Sequence, residues 1–230
     1  NNPSLQLTLS DKDFDYLDSN KKEFVKTVLP IIINENQNIL MIRSFVNELK
    51  GKLETFRTLN NNEIRKLNDI AQKYNIKYQN KHKLDLVDEI LSNVDVIPNS
   101  IVLAQAAIES GWGKSRFAKE YNALFGEYTY DDSEGVIPLE RENGDTHLIK
   151  AFSSYSNSVE SYFNNINSHY AYEDFRDIRN IMRKRNNFSN VNLLVNKLST
   201  YAEDENYIKT IRQVIKTNNF GIFDQKTISY

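Results

Sequence analysis

A chain of 230 residues with 40% hydrophobic content can bury one large core or two smaller ones. The formal net charge is −2, with acidic and basic residues interleaved, so there is no basic block to neutralise phosphates and nucleic acid is not an expected partner. Absence of cysteine excludes disulfides, thiolate metal sites and cysteine nucleophiles. Three histidines (His82, His147, His169) without a His-Glu-x-x-His pattern argue against a zinc hydrolase, and no cofactor is expected.

The first residue is Asn rather than Met, so a processed or trimmed N-terminus is expected, and the sequence shows no signal-peptide pattern. Residues 1–20 are polar and read as an arm or linker. From Lys21 to Leu59 the apolar positions Phe24, Val25, Val28 and Leu29, then Ile39, Ile42, Phe45, Val46 and Leu49, repeat at helical spacing, with Pro30 as an interruption. Asn62 to Tyr74 predicts a second amphipathic helix, and Leu84 to Leu91 a short third one. These stripes are expected to pack on the rest of the chain, making 21–95 a helical support segment. No apolar run reaches the roughly 18 residues of a membrane span.

Ile97 to Gly126 is the most informative stretch. Pro98 to Glu109 predicts a helix that is apolar nearly all round, with three alanines (Ala104, Ala106, Ala107) permitting close approach by other elements. Asn99 or Ser100 is the expected N-cap. Gly111 is the expected stop, because glycine tolerates the left-handed conformation beyond a helix C-terminus. Glu109 then sits in the last turn. There the helix dipole and apolar neighbours (Ile108, Trp112) both disfavour ionisation, which suits a general acid.

Beyond this, Asn143-Gly144 lies between two strand-like runs and predicts a two-residue hairpin turn. In that register Glu142 faces Asp145, Glu140 faces His147 and Leu139 faces Leu148. Ser156 or Ser158 is the expected cap of a helix carrying Val159, Tyr162, Phe163 and Ile166. His169 reads as a hydrogen-bonded structural residue. Helices are expected at Asp174 to Lys184, Asn190 to Ser199 and Tyr207 to Lys216, with Asp204 and Tyr207 capping and packing the last of them. The tail from Asn218 onward carries no signal. Trp112, Phe125 and Tyr130 are candidate walls for stacking against a flat ligand.

Ala104-Gln105-Ala106-Ala107-Ile108-Glu109-Ser110-Gly111-Trp112-Gly113, followed by Ser115-Arg116-Phe117-Ala118, resembles the signature of the peptidoglycan-cleaving glucosaminidases, family 73 of the glycoside hydrolases. The closer likeness is to the Bax-type branch, in which a helical segment precedes the signature. The resemblance runs from about Lys21 to the C-terminus. It implies a mainly α, lysozyme-like domain over 96–230, with a small β-hairpin lobe at about 127–152. It also implies Glu109 as general acid, a second acidic residue on the lobe and a tyrosine near the scissile bond.

By position, Glu140 matches the second acid, with Glu134 and Glu142 as alternatives, and Tyr201 matches the tyrosine. Ala123 stands where the family has Asn in its Asn-Leu-Phe-Gly turn, and Glu203 where it has Thr in Tyr-Ala-Thr-Asp. The implied reaction is hydrolysis of the β-1,4 bond after N-acetylglucosamine in the bacterial cell envelope. Either Glu140 activates water or the substrate's own N-acetyl group attacks. A lytic transglycosylase and a non-catalytic glycan-binding protein are the alternatives, separable by their products.

Overall fold

The computed structural model describes residues 14–131, 133–137, 148–187, 190–202 and 204–224. Helix α1 spans Ser19–Glu54, and the Asp18 side chain accepts the Lys21 N–H at its start. Pro30 does not break this 36-residue helix. It lies on the exposed side, as does Lys26 four residues back, so the carbonyl that Pro30 cannot serve with an N–H is on the solvent side. Helix α2 (Asn61–Lys73) opens with a reciprocal Asn60/Glu63 capping box. Helix α3 (Lys83–Asn93) packs on α1.

Helix α4 (Asn99–Glu109) runs through the middle of the molecule: every residue from Asn99 to Ala107 is buried. It contacts α1 on one side, and on the other the last helix and the turn that follows it. Its start departs from expectation. The N-cap position is Pro98, which offers no side-chain bond, and Asn99 and Ser100 lie inside the helix. The capping group comes from far along the chain. Asp224 accepts the Ser100 N–H at 2.8 Å and the Ser100 hydroxyl at 2.6 Å. The Asp224 side chain thus satisfies one of the orphan amides at the helix start from outside the local sequence. Asn36 of α1 completes the clamp, accepting the Ile97 N–H and donating to the Ile97 carbonyl and to Asn99 Oδ1.

After α5 (Arg116–Tyr121) come three short antiparallel strands, β1 (Tyr128–Thr129), β2 (Gly135–Val136) and β3 (Leu148–Lys150), with β3 in the centre. In the described ladder Val136 pairs with Ile149 and Gly135 with Lys150. The expected Leu139–Leu148, Glu140–His147 and Glu142–Asp145 pairings lie outside the described residues. Gly135 permits a close approach of the strands: a Cβ there would lie 2.5 Å from Leu148 Cβ and 2.6 Å from Thr129 Cγ2. The turn itself, with Glu140, Glu142 and His147, lies outside the described residues.

Helix α6 (Tyr155–Ser168) is capped by Ser154 rather than by Ser156 or Ser158. Ser158 is buried within it, and its hydroxyl accepts the Leu124 N–H at 3.1 Å. A 3₁₀ turn (Tyr170–Tyr172) leads into α7 (Glu173–Lys184), followed by α8 (Val191–Val195), α9 (Tyr207–Thr217) and a 3₁₀ turn at Phe220–Phe223. One buried apolar cluster runs from Phe14 to Phe223 through all the long helices. Beside it, fully buried Asp95 pairs with Arg183 at 2.5 Å and with Arg43 at 3.4 Å, joining α7 and α1 to the segment that leads into α4. The architecture is mainly helical with a small sheet, as expected.

Candidate active site

The end of α4 closes in a Schellman arrangement. The Trp112 N–H bonds back to the Ala107 carbonyl at 2.8 Å and the Gly111 N–H to Ile108 at 3.3 Å. Gly111, Trp112 and Gly113 all have positive φ, so the chain reverses sharply and leaves Glu109 at the edge of the core, half-buried. Ser110 stabilises the reversal: its hydroxyl donates to the Ala106 carbonyl and accepts the Gly113 N–H.

Burial raises the Glu109 carboxyl above its ordinary range, while a hydrogen bond from Tyr207 partly lowers it. That bond ends a chain of polar side chains through the core. Buried Tyr162 donates to Gln105 Oε1 at 2.6 Å, which leaves Gln105 Nε2, a donor only, against the Tyr207 oxygen at 3.0 Å. Tyr207 must therefore direct its own proton to Glu109 Oε1, at 2.7 Å. Gln105 and Glu109 are four residues apart on α4 and so share a face. The other carboxyl oxygen, Oε2, faces Gly126, where an added Cβ would lie 3.4 Å away and φ is +61°.

Tyr201 stacks parallel on Tyr207 (ring centroids 5.8 Å apart, planes 3° from parallel) and donates its hydroxyl to the Phe125 carbonyl at 2.9 Å. It thus holds the Phe125-Gly126 loop beside Glu109. Trp112 lies between Phe24 (5.7 Å) and Phe220 (6.1 Å), with Lys21 Nζ 5.1 Å from its ring centroid, so it ties the reversal to α1 and to the C-terminal turn. Phe125 corrects an expectation: it is only 1% exposed and stacks on Tyr162 at 4.2 Å, so its ring belongs to the core, not to a sugar-facing wall. Tyr130 is 78% exposed on the lobe, with its ring open to solvent. Glu134 is exposed and lies 3.5 Å from Lys150. Glu140 lies outside the described residues.

Three participants escaped the sequence reading. Tyr207 was expected only to cap and pack, yet it touches Glu109. Gln105 appears in the sequence only as part of the signature; its four-residue spacing from Glu109 is the available signal. Glu127, directly after Gly126, carries no motif. Burial lifts its carboxyl to about 7, against a bond from the Ser161 hydroxyl at 2.8 Å and the charge of Lys150. His169 behaves as expected, its Nδ1 accepting the Ala171 N–H. Among the described residues no group of three or more His, Asp or Glu is placed to hold a metal ion.

A family profile described as glucosaminidase, mannosyl-glycoprotein endo-beta-N-acetylglucosaminidase, matches residues 84–220, more than half of the chain. The chain belongs to the glucosaminidase family. The matched region contains α4, its closing reversal, the lobe and both tyrosines that stack beside Glu109. The chain is similar to the protein bax of Escherichia coli K12, at 32% identity over 184 residues, covering 79% of this chain and 63% of bax. It is also similar to the peptidoglycan hydrolase FlgJ of the same strain, at 33% identity over 93 residues, covering 35% of this chain and 29% of FlgJ. The chain therefore spans less than two thirds of the length of either relative. Among solved structures, the catalytic domain of the autolysin Auto from Listeria monocytogenes aligns with 83% of this chain and 97% of its own length, at 18% identity and a TM-score of 0.44.

Proposed function

We propose that the protein hydrolyses the β-1,4 glycosidic bond after N-acetylglucosamine in peptidoglycan, with Glu109 as general acid. The observation that carries this reading is the side-chain chain Tyr162–Gln105–Tyr207–Glu109, because it assigns the two carboxyl oxygens different tasks. Oε1 accepts from Tyr207 and so is the unprotonated oxygen of the neutral acid. The proton belongs on Oε2, on the Gly126 side, where glycine leaves room for a substrate oxygen. Burial shifts the balance of that carboxyl towards its protonated form, the form a general acid uses.

In the reaction the bond between the anomeric carbon and the leaving oxygen breaks, and Glu109 Oε2 gives that oxygen its proton. Water supplies the hydroxyl that completes hydrolysis. Its activation follows one of two routes. A lobe carboxylate, Glu140 by position, takes the water's proton, or the 2-acetamido oxygen attacks first and water then opens the cyclic intermediate. Tyr201, its proton engaged by the Phe125 carbonyl, acts as a positioning residue for the loop over Oε2. The substrate places the enzyme in the bacterial envelope, and no helix of the described residues is long and apolar enough to cross a membrane.

The test is mass spectrometry of purified peptidoglycan after digestion. Fragments with reducing N-acetylglucosamine ends are expected. Anhydro-muramyl ends would instead identify a lytic transglycosylase, and binding without any fragment release would identify a glycan-binding protein.

A further inference from the structure

The loop 124–127 carries Gly126, which faces Glu109 Oε2, and its position is fixed by four hydrogen bonds. Ser158 and Ser161, three residues apart and so on one face of α6, hold its two ends. Ser158 accepts the Leu124 N–H at 3.1 Å, and the Ser161 hydroxyl meets Glu127 Oε2 at 2.8 Å. Between them the Phe125 carbonyl accepts from Tyr201, and the Glu127 carbonyl accepts the backbone N–H of Lys150 at 2.7 Å. Of these groups, only the Glu127 carboxyl can change its charge near neutral pH.

The surroundings of that carboxyl suit its neutral form. Oε1 is buried and has no hydrogen-bond donor among the described residues. In the neutral acid Oε1 is an uncharged carbonyl oxygen, and Oε2–H donates to Ser161 Oγ. Ionised, the group spreads its charge over one buried oxygen without a donor and one with a single hydroxyl. The titratable groups around it are Lys150 of β3, Tyr162 of α6, His169 and Tyr172 at the 3₁₀ turn, Tyr201, and Glu109 beyond Gly126. Lys150 favours ionisation, but it also pairs with Glu134 at 3.5 Å. Burial outweighs both Ser161 and Lys150 and lifts the carboxyl to about 7.

We propose that Glu127 is a positioning residue for the general acid: its neutral carboxyl pins the loop facing Glu109 Oε2, and its ionisation releases that loop. The charged group reaches water by turning towards the cleft of about 420 Å³ that the residue lines, which breaks the Ser161 bond and shifts the adjacent Gly126. The inference rests on Glu109 being the acid, but one of its two readouts needs no turnover.

The first readout is the pH profile of kcat, each protein scaled to its own maximum. Glu127→Gln imitates the neutral acid, with its amide N–H donating to Ser161 Oγ and its carbonyl at the place of Oε1. Glu109 ionises in both proteins and cancels from their ratio. At pH 8 the variant should therefore retain about tenfold more of its maximum than wild type, the ratio expected for a group titrating one unit lower. Ser161→Ala removes a bond that favours ionisation of Glu127, so its alkaline limb should move to higher pH. The second readout is the carboxyl ¹³C resonance of Glu109 in glutamate-labelled protein, identified by its loss in Glu109→Gln. Besides its own titration it should show a step near pH 7 that Glu127→Gln abolishes and Ser161→Ala moves upward.

Thermal melts show which variants fold, and Ser161→Ala decides if Glu127→Gln does not. The inference is overturned if the scaled Glu127→Gln profile superimposes on wild type, if the Glu109 resonance lacks the step near pH 7 or keeps it in Glu127→Gln, or if Ser161→Ala moves neither limb nor step. A wild-type protein that releases no fragments at any pH loses the hydrolase reading, and the resonance alone then decides whether Glu127 controls the loop.

Discussion

At the scale of single residues the account depends on which oxygen of Glu109 carries the proton, and Tyr207 decides that. Tyr207→Phe removes one hydroxyl and leaves the packing intact. Because the Tyr207 bond lowers the Glu109 carboxyl, its loss should raise it further. The active form is the protonated one, so the alkaline limb of the kcat profile should move to higher pH, with an activity loss of about twofold for a proton now free on either oxygen. A profile that keeps its alkaline limb in place would remove Tyr207 from the mechanism. Buried Gln105 Nε2 would also lose its acceptor, costing about 1–3 kcal/mol of stability, measurable by denaturant titration. Gly126→Ala acts on the other oxygen: a Cβ 3.4 Å from Oε2, on a backbone at φ +61°, should cost about 1–2 kcal/mol and lower kcat, where an Ala surface substitution would do neither.

Among the elements, α4 matters most, and its two ends differ in how legible they are from the sequence. The C-terminal end could be read directly. An apolar run with alanines, a glycine and the residues after it encode a central helix, its stop and the carboxylate at its edge, because a Schellman closure uses only neighbours in sequence. The N-terminal end could not. Its capping group is Asp224, 124 residues on, in a tail without pattern, and the clamp from Asn36 is equally remote. The Tyr207 contact escaped for the same reason. The lobe is partly legible: Asn-Gly is turn chemistry that lies outside the described residues, and the close approach at Gly135 to Leu148 and Thr129 is a contact no local pattern reveals.

The cap at Asp224 makes a prediction about α4. Burial lifts its carboxyl to about 6, above the value near 4 expected in the unfolded chain, so the folded protein holds that proton more tightly. Its favourable contribution is present below pH about 4 and is lost as pH rises through about 6. The stability difference between wild type and Asp224→Asn should therefore fall across that interval, by on the order of 2–3 kcal/mol, and flatten above it. Melting temperatures of both proteins at several pH values would show this; parallel curves would mean that Asp224 does not titrate there.

For the whole molecule, α1 and the helices after α4 are parts of one buried structure. Asp95, fully buried, accepts from Arg183 of α7 and faces Arg43 of α1, and the nearby buried Arg179 bonds to the Asn93 and Asp95 carbonyls. The three guanidinium groups hold the Asp95 carboxyl below its usual range, although burial acts the other way. Asp95→Ala strands buried positive charge and should cost about 3–5 kcal/mol. It should loosen α1 and α7 together, seen as one cooperative shift in a denaturation curve and not as a separate early transition. This frame gives α4 fixed neighbours along its length and delivers Glu109 to the edge of the core.

The most direct test of the central claim is the rate at which Glu109→Gln releases reducing ends from peptidoglycan, set against its melting temperature. The account predicts a rate lowered by at least about 100-fold with the melt essentially unchanged, since the amide keeps the shape and can still accept from Tyr207 but has no acid proton to give. A folded Gln variant that cleaves at the wild-type rate would contradict it.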